Sequence, residues 1–405
     1  MSTHARSHAE QSYSPLYFLA SVGAGGLAVT FFMYLMFWVA HPGRPVPVFE
    51  DIMAAFSTGS PLLQAAIVIA MTGIAIFGVM NVYLLVWNLR RIGAFSASEA
   101  GTQLAGSNGQ VQIMALPLAL AMTINVGFIL GLVFVPGLWS VVEYLFPLAL
   151  VAFLAVGALA LIQLGAFFRR VIATGGFDCA RNNSLSQLLP AFTLSMVGVG
   201  LSAPGAMSTT AMTAGASVVL STFFLVAAVT LAAVQLVLGV RSMLENGVAV
   251  EQAPTIMIVV PILTVLGILV MRQDHGLHVH FGAHVSAGET LVFLTRLLSL
   301  QVLFLLLGVT VLRATGYIAR FISGDERSVG SYALICPGVA LSVMGFFWIN
   351  KGLVAAELVT KFSAGYWALT ALALAAQISM IVLMLVLNRR HFSHRPAVSV
   401  PVPAE

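Results

Sequence analysis

Long apolar runs separated by short polar stretches dominate the chain. A helix rising ~1.5 Å per residue needs about 20 residues to cross ~30 Å of hydrocarbon. Ten runs suit that length, at roughly 17–40, 62–87, 111–135, 141–168, 187–201, 211–240, 255–271, 290–312, 331–349 and 366–387. Runs five, seven and nine are short and contain Pro. The ten form five consecutive pairs, joined alternately by Arg-bearing and Arg-poor connections. The pattern predicts an all-α polytopic membrane protein of ten transmembrane helices in five helical hairpins. Its membrane domain spans 14–388, between an amino-terminal tail, 1–13, and a Pro-containing disordered tail, 389–405.

The first helices of the pairs share a pattern that the second helices lack. Pro stands early, a small hydroxyl residue or Asn follows, and then one or two Gly. Pair two has Pro117, Thr123, Asn125 and Gly127; pair three has Pro190, Thr193, Ser195, Gly198 and Gly200; pair five has Pro337, Ser342 and Gly345. Pair four is a weaker copy with Pro261, Thr264 and Gly267, and pair one has Pro15, Ser21, Gly23, Gly25 and Gly26. The prolines of pairs two to five lie 73, 71 and 76 residues apart, so one helical hairpin recurs.

Pro inside a helix leaves a carbonyl without its partner, which in lipid must be satisfied by protein or water. Such helices belong inside, and the greasier second helices belong outside, toward lipid. Small residues also serve simple helix packing. Packing alone gives no reason for the same device on one member of every pair, so the recurrence favours five kinked inner helices around a central pore.

Composition agrees with a membrane protein. The chain is 60% hydrophobic and 8% charged, whereas soluble domains carry ~25% charge. A soluble enzyme, a secreted disulfide scaffold and a disordered regulator are excluded. The formal charge of +4 would suggest nucleic acid in a soluble protein, but here the cations sort by connection and no nucleic-acid partner is expected. Thirteen lie in the amino terminus, the carboxyl tail and alternate connections: Arg6, Arg90, Arg91, Arg169, Arg170, Arg181, Arg241, Arg313, Arg320, Arg327, Arg389, Arg390 and Arg395. The other connections hold Arg44, Arg272, Lys351 and Lys361. Both termini are therefore expected in the cytoplasm of a bacterial-type inner membrane, with no signal peptide evident at the start.

Ten spans in five hairpins, with Pro and small polar residues on each first helix, resemble the superfamily of the bacterial tellurite-resistance protein TehA, yeast malate permease and plant slow-type anion channels. The resemblance covers about 14–388 and rests on architecture and short motifs. It implies a quasi-five-fold pore lined by the first helices, an outer ring of second helices, and a homotrimer. It also implies a Phe gate on the ninth helix just before a Pro. Here that dipeptide is Cys336-Pro337. A thiol thus replaces the aromatic gate unless Phe346, Phe192 or Phe128 takes over, a departure pointing to a divergent branch that handles sulfur or selenium species.

Other residues carry candidate chemistry. Cys336 and Cys179 are the only cysteines, and no disulfide between them is expected. A buried Cys is ordinarily a small hydrophobe, so Cys336 stands out only through its pore position. His275, His278, His280 and His284 fall on the expected external side, where they would either bind Zn or Cu or form a hydrated, pH-sensitive loop. Arg296 lies within the eighth run and either attracts anions at the external vestibule or snorkels to the interface. No Asp or Glu lies in the middle of a run, which disfavours proton relays and cation pores. Nucleotide, zinc-protease and hydrolase motifs are absent, and neither an enzyme nor a cofactor is indicated.

The sequence thus predicts a transporter or channel for small anions or weak acids, embedded in the bilayer. Sulfur, selenium or tellurium oxyanions and small carboxylates are the expected solutes. Ser21, Pro117, Thr123, Asn125, Pro190, Ser195, Pro261, Thr264, Cys336, Pro337, Ser342 and Arg296 are its candidate pore and binding residues, and Cys336 and Phe346 its candidate gate. One alternative is a membrane redox or metal-handling protein using Cys336 or the His cluster. Another is a structural subunit that only packs.

Overall fold

A computed structural model describes residues 13–392. The expected tails, with Arg6 and Arg395, fall largely outside the described residues. Among the described residues, ten helices are long and apolar enough to cross a membrane: α1 Pro15–Trp38, α2 Pro61–Ser96, α3 Asn108–Phe134, α4 Leu138–Thr174, α5 Ser186–Met207, α6 Ala211–Asn246, α7 Val250–Phe281, α8 Ala287–Ala314, α9 Val329–Val354 and α10 Ala364–Phe392. Each predicted run is present, and no strand occurs among the described residues. Short helices Phe49–Thr58 and Glu99–Ala105 lie in connections.

The helices sort into two layers. α1 packs on α3, α3 on α5, α5 on α7, α7 on α9, and α9 back on α1, which closes a ring of five. Each even helix packs on the odd helix before it and on the next odd one. Between 50 and 94% of each odd helix's most apolar stretch is buried, against 17–39% for the even helices. The even helices instead expose large apolar residues such as Val79, Leu148, Val219, Leu303 and Leu372, which suit a lipid-facing shell.

The prolines act differently from the mid-helix kinks that the sequence suggested. Every odd helix enters through a 3₁₀ segment and becomes α-helical at Phe18, Ala115, Leu189, Val259 or Ile335. Pro117, Pro190, Pro261 and Pro337 fall within the first three residues of the α-helical part, and Pro15 opens the 3₁₀ turn of α1. The first N–H groups of an α-helix have no intrahelical partner, so a proline there removes little. The repeat therefore marks a shared 3₁₀-to-α junction. Pro147, by contrast, lies inside the α-helical stretch of outer helix α4.

The glycines of the repeat mostly admit neighbours. A Cβ on Gly26 would lie 2.8 Å from Val339 Cγ1, and one on Gly200 would lie 2.2 Å from the Phe153 ring. Both described chain ends share one face, the terminal face, where the Tyr17 hydroxyl meets His391 Nδ1 at 3.1 Å.

Candidate functional site

A chamber of about 580 Å³ is lined by all five odd helices, and Phe146, Ala149 and Phe153 of α4 complete one side. Its deepest wall residues are Val22, Met122, Phe192, Pro261 and Cys336, one from each odd helix. No residue of the terminal face lines it among those described, and Phe18, Leu118, Leu189 and Ile335, nearer that face, are buried. At the other end it reaches Pro45, Val46, Val285 and Ala355, in the connections of the opposite face, here called the mouth. The wall between is mainly Phe, Met and Val.

Only some of the candidate residues reach this chamber. Asn125, Pro261, Thr264 and Cys336 line it. Asn125 Nδ2 donates to the Ala121 carbonyl at 3.0 Å, and Thr264 Oγ1 donates to the Ala340 carbonyl at 3.1 Å while accepting from Gln301 Nε2 at 2.6 Å. Pro117, Pro190 and Pro337 are buried at the entry turns and do not line it.

Ser21, Thr123 and Ser195, expected to face a passage, are turned into helix contacts instead. Ser21 bonds Asn81 of α2. Thr123 and Ser195 donate to carbonyls one turn back on their own helices, at 2.9 Å to Ala119 and 2.7 Å to Ala191. The Ser342 hydroxyl is buried without a hydrogen-bond partner. The physical reason is that a buried hydroxyl needs a partner, and a neighbouring helix or the preceding turn offers one at once.

Phe346 is fully buried and stacks on Phe37 with ring centroids 6.3 Å apart. It lies outside the chamber wall. Phe128 and Phe192 do line the wall. Arg296 is exposed on α8 in a separate surface groove with Thr295, Ser299 and Trp348, away from the chamber.

The histidines also disperse. His275 and His278 line the mouth, His278 Nδ1 meets the Ala283 carbonyl at 2.8 Å, and His280 Nε2 meets the Ser208 carbonyl at 2.9 Å. His284 stands beside His278 with ring centroids 5.1 Å apart. Among the described residues no three His, Cys, Asp or Glu side chains converge as metal ligands. The cause is that the stretch is helical: α7 continues to Phe281 and stops at Gly282 with φ +72°, so the four imidazoles fan around a helix end.

The same extension supplies site residues that sequence reasoning missed. Arg272 and Asp274, assigned to a connection by sequence, line the chamber toward its mouth, as does Lys351 of α9. Arg272 is half-buried and its Nη1 donates to the Val199 carbonyl at 2.7 Å. That carbonyl ends the α-helical part of α5, Leu189–Leu201, and also accepts from Ser202 Oγ at 2.9 Å. A helix carboxyl end carries partial negative charge and so draws a cation. Lys351 sits in a π-helical turn, Trp348–Val354, that widens the end of α9. The signal that could have found Arg272 is the lack of any Pro, and of any Gly with a turn partner, between Met271 and Phe281.

Among the described residues, the charged side chains lining the chamber are Arg272, Lys351 and Asp274. Burial, with a smaller effect from the Lys351 charge, holds the Lys361 amine below its ordinary value. Burial also lowers His41, with Lys351, Lys361 and Arg44 adding to the shift and Asp51 opposing it. Asp51 itself pairs with Arg44.

The chain matches no known protein-family model, no curated protein and no solved structure.

Proposed function

We propose that this multi-pass membrane protein is a transporter or channel for small anions or weak acids. The observation that carries the reading is the chamber lined by one helix from each of five pairs, with Phe146, Ala149 and Phe153 of outer helix α4 on one side, and in which Arg272, Lys351, His275 and His278 stand against the carboxylate Asp274. Cations at a mouth raise the local concentration of anions, and a dry wall makes each of them more effective. The sorting of cations among connections supports cytoplasmic termini in a bacterial-type inner membrane, with the mouth outside. The five-membered ring agrees with what the TehA, malate permease and slow-type anion channel resemblance implies.

The test is flux in proteoliposomes across nitrate, chloride, sulfite, selenite, tellurite and small mono- and dicarboxylates. Solute-specific anion flux above protein-free vesicles supports the reading, and thiol- or metal-dependent turnover without flux supports the redox alternative instead.

A further inference from the structure

Arg272 is short of partners. A guanidinium offers five N–H donors, and the bond to Val199 uses one. No carboxylate pairs with Arg272 among the described residues; the ion pairs there join Arg44 to Asp51, Arg181 to Asp178, Arg241 to Glu245 and Arg320 to Glu326. Asp274 is two residues along the same helix and forms no such pair.

The contact with Val199 also sets the depth of the charge. On α5 the chamber is lined from Phe192 to Met207, and Val199 stands midway. The Arg272 side chain thus brings its charge to the middle of the chamber. Lys351 is nearer the mouth, fifteen residues along α9 from Cys336.

The surroundings then restrict what can occupy the site. Phe32, Phe128, Phe153, Met196 and Val343 form much of the wall, and the deepest residues include no second cation. A hydrated inorganic anion would lose its water against these side chains and gain little from them. A dicarboxylate anchored at Arg272 and reaching inward would bury its second charge among Val22, Met122 and Phe192 without a partner, and one reaching outward toward Lys351 would leave that apolar depth unfilled. A monoanion with a planar two-oxygen head and an apolar body meets both demands, because the head suits the guanidinium fork and the body suits the wall. The chamber volume lies within the ~300–1,000 Å³ common for small-molecule sites.

We infer that Arg272 is the carboxylate anchor of a binding site for aliphatic monocarboxylates, whose hydrocarbon chain lies in the apolar chamber. This deepens the proposed anion route and rests on it for its physiological meaning, while the binding itself stands apart from flux.

The experiment is equilibrium binding of radiolabelled hexanoate to the full chain in detergent, corrected with protein-free micelles and competed with butyrate, octanoate, succinate and chloride. Affinity should rise about fourfold per added methylene, the equivalent of ~0.8 kcal/mol for each CH₂ buried. Succinate and chloride should compete at least about tenfold more weakly than hexanoate. Arg272→Gln should weaken hexanoate about tenfold or more, and Arg272→Lys should recover part of that loss. Met196→Trp, which fills the chamber, should weaken octanoate more than butyrate whether or not the Arg272 variants fold.

Affinity independent of chain length, equal competition by chloride or succinate, or an unchanged Arg272→Gln protein overturns the inference. Hexanoate binding without flux of any anion leaves the inference standing and removes the proposed route. Inorganic anion flux without hexanoate binding does the reverse.

Discussion

Asn81 of α2 and Ser21 of α1 grip each other through three hydrogen bonds. Asn81 Nδ2 donates to the Ser21 carbonyl at 2.8 Å and to Ser21 Oγ at 3.0 Å, and Ser21 Oγ donates to the Asn81 carbonyl at 2.9 Å. Both residues are fully buried. Polar contacts between membrane helices contribute on average ~0.6 and at most ~1.7 kcal/mol. Asn81→Leu should therefore lower unfolding free energy by about 0.6–1.7 kcal/mol, read by thermal or denaturant melting in detergent, with anion flux per folded molecule within about twofold of wild type. A selective loss of flux at unchanged stability would assign this pair to the route.

The exposed Arg296 and the half-buried Arg272 should behave in opposite ways. Arg296 is exposed on outer helix α8, and Arg272 lines the chamber. Arg296→Ala should leave anion flux within about twofold, whereas Arg272→Gln should lower it about tenfold or more, a loss of ~1.4 kcal/mol. A larger effect at Arg296 than at Arg272 would move the anion path to the surface groove.

The histidines near the mouth should not behave as a metal site. Their ring nitrogens are directed to separate carbonyls, Ala283 for His278 and Ser208 for His280. Adding Zn²⁺, or stripping with a chelator, should leave the melting temperature unchanged, as measured by differential scanning fluorimetry. A chelator-reversible rise would show that these side chains gather around metal.

His41, beyond the end of α1, should contribute to acid sensitivity. Its folded pKa lies below the ordinary 6.5, chiefly through burial. Between those two values the unfolded chain takes up a proton that the folded chain refuses, so stability falls as pH falls through that window. Melting temperature should drop less in His41→Gln than in wild type between about pH 7.5 and about pH 5.5. Identical slopes would show that the imidazole titrates alike in both states.

The layout of helices was legible because each span is an apolar run of the length the bilayer demands, and because Pro and Gly recur on one member of every pair. The interior was less legible for reasons visible at single residues. Ser21, Ser195 and Ser342 are small hydroxyls on buried helices, and only the neighbouring backbone decides whether such a group meets a cavity or a carbonyl. Arg272 and Asp274 resemble a loop in sequence, since charge usually ends an apolar run. In the fold they stay helical because the chamber and its mouth accept them, and because Gly276 lets α7 approach α5, where a Cβ would stand 2.4 Å from the Gly205 carbonyl oxygen.

Small anions are proposed to pass through the chamber lined by the five odd helices. Potential-driven anion uptake into vesicles, compared between wild type and Met196→Trp at matched amounts of folded protein, tests this passage most directly. Met196 lines the wall beside Asn125, whose Nδ2 lies 3.8 Å from its sulfur, so the larger indole there takes up chamber volume. The account predicts clear uptake by wild type and at least about a tenfold reduction in the variant. Equal uptake by the two proteins, or wild-type uptake no greater than that of protein-free vesicles, would contradict it.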